Sequence, residues 1–359
     1  MEKLLRKLTA PTLLVDLNRV RNNISRMKAK ADASQALLQP HFKTHQSLGI
    51  AAEYINQGVH AATVSSLQMA QYFADGGWKR IHLALPIIPG QENITRAIAQ
   101  KCALTCNVSR PEHVTTLTDT SIEGVYIDID NGYGRTGIRV DNIRAICALL
   151  SAIDKAGLTF KGFYYHNGNS YGMDSPKTIV KNHEAALGRM RYLQNGLGRS
   201  STLMLGDTPS CSLVSDFNEV DIVSAGNYIF YDLMQYNLGS CQLEDIAVCM
   251  ACPVIEKNDY RQTVVVHGGA VHFSKEMITK GGNSSFGRAV ELNYDEWKTN
   301  DIGSLISISQ EHGTISLDEK SFKQVKIGDF IGILPVHSCL TADAMGTYLS
   351  TSGVSISMM

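Results

Sequence analysis

No run of about 18 apolar residues occurs anywhere in the chain, which excludes a conventional membrane-spanning helix. The start, MEKLLRKLTAPTLL, is positively charged but lacks the apolar stretch of a secretory signal, so a cytoplasmic location with no membrane partner is expected. Cysteine is sparse: eight in 359 residues are too few for a disulfide scaffold, and cytoplasmic thiols read as core residues or ligands. Charge of one sign is also missing. With 33 basic against 34 acidic residues, a formal charge of −1 and no block of like charge, nothing attracts nucleic acid or an anionic surface. A small, locally recognised substrate is the expected partner. Internal repeats, low-complexity tracts and flexible linkers are absent too.

What the chain does have is a series of eight apolar runs: ALLQPHFKTH (36–45), HAATVSS (60–66), RIHLALP (80–86), ALTCNVS (103–109), GVYIDID (124–130), FKGFYYH (160–166), STLMLGD (201–207) and DIVSAGN (221–227). Between most of them lie segments of helical spacing closed by glycine, such as SLQMAQYFADGG and NIRAICALLSAIDKAG. Eight strands alternating with helices predict a (β/α)₈ TIM barrel over residues 18–235. After about residue 236 the runs shorten, glycine is frequent and helical period fades, which predicts a β domain of 236–359 joined by 1–17, since LTAPTLLVD has no place in the count of eight.

The first run carries Lys43 with His41 and His45 two residues away on either side, so in a strand all three would share one face. The other run ends are rich in Gly, Asn, Ser and Thr: DIDNGYGRTG, HNGNSYG, GDTPS and AGNYIFYD. Such a rim suits a phosphate, and a lysine facing it can form a Schiff base with an aldehyde. Pyridoxal 5′-phosphate meets both conditions; a solvated lysine is the bland alternative. In LPVHSCLTAD, His337 and Cys339 would point the same way if extended, offering imidazole and thiolate as a zinc-preferring pair that leaves positions open, or else forming a buried core pair. Cys249 and Cys252 form a C-x-x-C with no second copy, in an apolar strand, and read as core.

The ordered set PHFKTH, DNGYGRTG, HNGNSY, GDTPS, AGNYIFYD and HSC resembles the metal-dependent branch of fold-type III pyridoxal-phosphate enzymes, the D-serine dehydratase and D-threonine aldolase group related to alanine racemase. The resemblance runs from near residue 11 to near 345 and implies an alanine racemase-like barrel with a C-terminal β domain. It implies that Lys43 holds the cofactor, that Arg135 stands near its ring, that His166 and Tyr171 line the pocket, and that Thr208, Gly226 and Asn227 bind its phosphate. Gly132 and Gly134 need only a turn. His337 and Cys339 would hold a divalent metal, zinc first and manganese second, in a homodimer. The implied reaction is loss of water from a D-3-hydroxy amino acid, giving a keto acid and ammonia, with Lys43 as base. The alternatives are retro-aldol cleavage to glycine and an aldehyde, which the H-x-C pair favours less than an H-x-D pair would, and racemisation, which needs a second base and no metal. The long C-terminal region argues against a carrier of the cofactor alone. Gln46, where many relatives have lysine, and His267-Gly268-Gly269, where they more often show Asp-Ala-Gly, are departures from the pattern; His312 in SQEHG fits it without an assigned role.

Overall fold

The protein is seen in a computed structural model that describes residue 5 and residues 7–280, 282–293 and 297–359. The chain forms two units, one of Ser25–Lys43 and Tyr54–Gly226, the other of Met1–Ile24, Thr44–Glu53 and Asn227–Met359.

The first unit is a parallel barrel. Its strands are β1 (Leu37–Leu38), β2 (Ala61–Val64), β3 (Arg80–Leu83), β4 (Ala103–Val108), β5 (Gly124–Asp130), β6 (Phe160–Tyr165), β7 (Thr202–Leu205) and β8 (Ile222–Val223), one within each apolar run of the sequence. Pairing is parallel from β2 round to β8 and from β8 to β1. The ring closes just past β1, where His41 bridges Thr63 and the Thr63 amide donates to the Pro40 carbonyl at 2.8 Å. The expected TIM barrel is therefore present, and its strands were visible as unbroken apolar runs because parallel strands are covered on both faces. Tyr126, Tyr164, Met204 and Ile222 form a buried cluster, with the His82 ring 5.2 Å from Tyr126 and 5.6 Å from Tyr164. The intervening helices start on side-chain caps: Ser66 Oγ accepts from the Met69 amide at 3.1 Å before Leu67–Asp75, and Asn142 accepts from the Ala145 amide at 3.2 Å before Ile143–Lys155.

The second unit is built on a largely antiparallel nine-stranded sheet, in the order Thr263–His267, His312–Leu317, Gly303–Ile308, Gly287–Val290, Phe330–Pro335, Val248–Asn258, Thr12–Val15, Thr347–Ser350, Ser355–Ser357. The opening strand Thr12–Val15 sits inside this sheet, antiparallel to Val248–Asn258 and parallel to Thr347–Ser350. Cys249 and Cys252 are both fully buried and unoxidised in it. Three residues apart on a strand, they face opposite ways, so they cannot chelate one ion together.

One local feature fixes the lysine of the first run. Phe42 is fully buried, with ring centroids 5.3 Å from Tyr54, 4.8 Å from Phe73 and 4.7 Å from Trp78. These contacts anchor the backbone one residue before Lys43. Phe42→Ala is expected to cost about 3–5 kcal/mol of stability, measured as a lower urea midpoint; a loss below about 1 kcal/mol contradicts this packing role.

Candidate active site

The chain leaves strand geometry before it reaches Lys43. β1 ends at Leu38, His41 makes only an isolated bridge, and Phe42–Thr44 form a 3₁₀ turn, so the expectation of His41, Lys43 and His45 on one strand face is corrected. The turn is helped by His41, whose Nδ1 accepts from the Lys43 amide at 3.4 Å. His41 and His45 are buried and Lys43 is exposed. Burial first, and then the positive charges of Lys43 and Arg135, keep His41 neutral, far below the usual imidazole range.

The other barrel-unit candidates lie in the loops after β5, β6, β7 and β8. His166 Nδ1–H donates to the Gly206 carbonyl at 2.5 Å, which leaves Nε2 with a free lone pair. Burial, then Arg135 and Lys43, push its pKa down to about 3. The Tyr171 ring stacks on His166 with centroids 6.1 Å apart, and its hydroxyl oxygen accepts from the Thr208 amide at 3.4 Å. Thr208 starts the helix Thr208–Leu213, and Asp207 caps it by accepting from the Ser210 amide at 2.9 Å and from Ser170 Oγ at 3.0 Å. At the other end, Lys30 Nζ donates to the carbonyls of Cys211, Ser212 and Val214 at 2.9, 3.0 and 2.7 Å. Arg135 belongs to the loop in which Asp130 Oδ1 accepts from the Gly132 and Gly134 amides, both at 2.9 Å; their φ values of +105° and +78° are those of a plain turn. The Arg135 guanidinium lies 5.5 Å from the Tyr133 ring centroid. Gly226 is buried, one residue beyond Ala225, whose carbonyl accepts from the His41 amide at 3.0 Å.

The second unit gathers Thr44, Asn227, Asp232, His337 and Cys339. His337 and Cys339 do not lie in an extended segment as expected: His337 is the N-cap of the helix Ser338–Met345 and Cys339 its second residue. They still meet. Burial pulls the His337 pKa down, but its hydrogen bond to Cys339 and that residue's charge, with Asp232 and Glu276 adding, raise it to about 9. Burial likewise pushes the Cys339 thiol up, and the hydrogen bond and charge of His337 outweigh it and hold the thiol below its ordinary value. Cys339 Sγ is 3.4 Å from Thr44 Oγ1 and accepts from Asn227 Nδ2 at 3.5 Å. Asn227, expected at a phosphate, thus has its side-chain amide on the sulfur. The chain passes from the barrel unit to this one directly after Lys43 and again directly after Gly226.

Among the described residues the one cluster of three metal-type donors is His267, His272 and Glu311, whose candidate atoms lie within 4.8 Å of each other. His272 Nδ1 already accepts from the Gly269 amide at 3.1 Å. Its neutral ring therefore carries the proton on Nε2, and the group is two imidazoles around a carboxylate, with His267 Nε2 3.4 Å from Glu311 Oε2. His312 stands opposite His267 in the sheet.

Two observations bear on what these residues accommodate. Thr208 Oγ1 is buried with no hydrogen-bond partner, as a phosphate-binding hydroxyl lacking its anion would be. His337 Nδ1 is buried and unpartnered beside a sulfur held toward thiolate, a donor set that fits a soft divalent cation. Sequence reasoning missed Asp207, Lys30, Thr44 and Asp232. Asp207 had a signal, an Asp followed by Pro in the first turn. Lys30 had none, because its partners lie up to 184 residues away, and Asp232 had one only for its own helix Leu233–Asn237, its partner Ser338 lying 106 residues away.

Residues 15–233 match the alanine racemase N-terminal domain and residues 247–351 match a putative serine dehydratase domain. The chain is 25% identical to D-threo-3-hydroxyaspartate dehydratase of Delftia sp. (strain HT23), over 97% of this chain and 95% of that one. It is 29% identical to D-serine dehydratase of Dictyostelium discoideum, over 95% and 93%. The solved structure of the Delftia enzyme superposes with a TM-score of 0.89 at 24% identity, covering 99% of both chains. A cysteine-to-alanine variant of that enzyme has been solved in a metal-free form.

The buried imidazoles set a pH dependence. Burial is the first cause in lowering His41, His45, His82, His166 and His183, the last four to about 3, 3, 3 and 4. Their stabilisation is present above the unfolded value near 6.5 and is lost as pH falls toward the folded values, because the unfolded chain takes up protons that the folded one refuses. Asp128 and Asp207, raised by burial to about 6, act in the opposite sense, their contribution being lost as pH rises through about 6. Five imidazoles outweigh two carboxylates. The urea midpoint is expected to fall as pH is lowered from about 6.5 to about 4.5, and a flat midpoint over that window contradicts the burial of these rings in neutral form.

Proposed function

The chain belongs to the fold-type III pyridoxal-phosphate enzymes, by the alanine racemase N-terminal domain that spans more than half of it, and from that premise we propose that it is a lyase of D-3-hydroxy amino acids. The reaction we assign is D-serine dehydratase-like: loss of water from the β-carbon, giving a keto acid and ammonia. The observation that carries this reading is the His337–Cys339 pair at the start of one helix, within the segment that matches the serine dehydratase domain. Dehydratase relatives that span nearly the whole chain support it.

In this reading Lys43 would hold the cofactor through Nζ, and the same amine would serve as the base for the substrate's α-proton. Pyridoxal phosphate, when bound, withdraws electrons from the substrate Cα. Thr208 Oγ1 and the Gly226 and Asn227 amides hold the phosphate, and the caps on both ends of Thr208–Leu213 keep that hydroxyl in place. His166, tied by Nδ1–H to Gly206 and neutral, offers a flat uncharged ring that Tyr171 backs by stacking. Arg135 supplies a fixed positive charge that polarises a phenolate oxygen. His337 and Cys339 hold a divalent metal, zinc in preference to manganese, which when bound is a Lewis acid able to stabilise a departing hydroxide. Two protein donors leave room for the hydroxyl. We also propose a homodimer, which the resemblance supports, and a cytoplasmic location, which the lack of a secretory apolar stretch supports.

Likeness to a D-threonine aldolase of Arthrobacter sp., 23% identical over 64% of this chain, favours one second reading, in which the same groups deprotonate the β-hydroxyl and release glycine and an aldehyde. The two readings differ in product. With D-serine, His337→Ala and Cys339→Ala are expected to keep the yellow colour of lysine-bound cofactor while keto-acid release falls about 10²–10³-fold, the rate equivalent of several kcal/mol of Lewis-acid stabilisation. Unchanged release by both variants contradicts the metal role, and glycine as the main product of the unaltered enzyme with D-threonine decides for the aldolase.

A further inference from the structure

The start of the helix Ser338–Met345 lacks the cap it would ordinarily have. His337 occupies the N-cap position but its side chain makes no capping hydrogen bond, and its Nδ1 is buried without a partner. The missing acceptor comes from elsewhere in the chain. Asp232 Oδ2 accepts from the Ser338 amide at 3.0 Å and from Ser338 Oγ at 3.2 Å. The same oxygen accepts from Asn227 Nδ2 at 2.7 Å, while Oδ1 accepts from the Gln235 amide at 2.9 Å. Asp232 is fully buried, and two of these donors are backbone amides, so its side chain acts toward them as an acceptor.

This has two consequences for the sulfur. The carboxylate fixes the first turn of the helix on which Cys339 sits, leaving His337 free to face it. It also decides which way the Asn227 amide points: Nδ2 must face Asp232, and that nitrogen also reaches Ser338 Oγ at 3.2 Å and Cys339 Sγ at 3.5 Å. Asn227 Oδ1 is left buried without a partner, as a flip toward Asp232 would set two acceptors against each other.

We propose that Asp232 is a positioning residue for metal capture: by capping the helix in place of His337 and orienting Asn227, it presets His337 and Cys339 as a ligand pair. The inference rests on the reading of those two residues as metal ligands. Outer partners of this kind typically contribute 10–100-fold to metal affinity.

The test is a titration of the chelator-stripped holoenzyme with cobalt(II), followed by the difference absorbance of the thiolate-to-cobalt band and by bound cobalt after dialysis. Asp232→Asn keeps the shape and one acceptor; its Kd for cobalt(II) is expected to rise about 10–100-fold with the band still reached at saturation. Asn227→Ala leaves the helix cap intact and is expected to raise Kd by a smaller factor, which keeps the proposal testable if Asp232→Asn does not fold. A cap of purely structural worth would lower the melting midpoint of the metal-free protein and leave Kd at the unaltered value; that result overturns the proposal. A band from the unaltered protein that Cys339→Ala abolishes keeps the metal reading standing whatever Asp232→Asn does. Absence of any band from the unaltered protein removes the metal reading and this inference together.

Discussion

The hydrogen bond from the Thr63 amide to the Pro40 carbonyl closes the ring of barrel strands, and the place of Lys43 depends on it. β1 is only two residues long, so it cannot carry a lysine to the rim by strand geometry alone. The closure extends its pairing to His41, the buried Phe42 ring anchors the next residue among Tyr54, Phe73 and Trp78, and the 3₁₀ turn then presents Lys43 to solvent. A short strand with a large aromatic anchor thus achieves what a longer strand would do less sharply, since the turn frees the lysine from the alternation that a strand imposes.

Two charge regimes follow from the surroundings of the two clusters. The imidazoles of His41, His82 and His166 are each driven to the neutral form by burial, with Lys43 and Arg135 adding to it for His41 and His166. At His337 and Cys339 the opposite holds: an imidazole and a thiol, each disfavoured as an ion by burial, gain more from their mutual attraction than they lose. A cofactor aldehyde calls for the first environment, with an amine and no competing cationic imidazole. A soft divalent cation, if His337 and Cys339 hold one as proposed, would suit the second, since thiolate and neutral imidazole are its ligand forms.

Much of the barrel was legible because burial on both faces turns each parallel strand into an apolar run, and the rim residues follow directly from where those runs end. The His337–Cys339 pair was legible as a pair of residue types, but the reason given for it failed. Spacing of two suggested an extended segment, whereas the residues meet at an N-cap, a geometry that depends on Asp232 taking over the cap from 106 residues away. The shared face of His41, Lys43 and His45 failed in the same way, because the backbone turn is set by tertiary packing of Phe42 and not by local propensity. Lys30, which pins the far end of the Thr208 helix, is invisible for a related reason: its three acceptors are backbone carbonyls, whose sequence carries no mark.

The central claim is that the barrel delivers Lys43, and no other lysine, to the cofactor. Reduction of the holoenzyme with borohydride, digestion and mass analysis of the peptides tests it most directly. The account predicts one pyridoxyl-modified peptide, containing PHFKTH with the mass increment on Lys43. A modified peptide centred on any other lysine, or reduction that leaves PHFKTH unmodified, would contradict it.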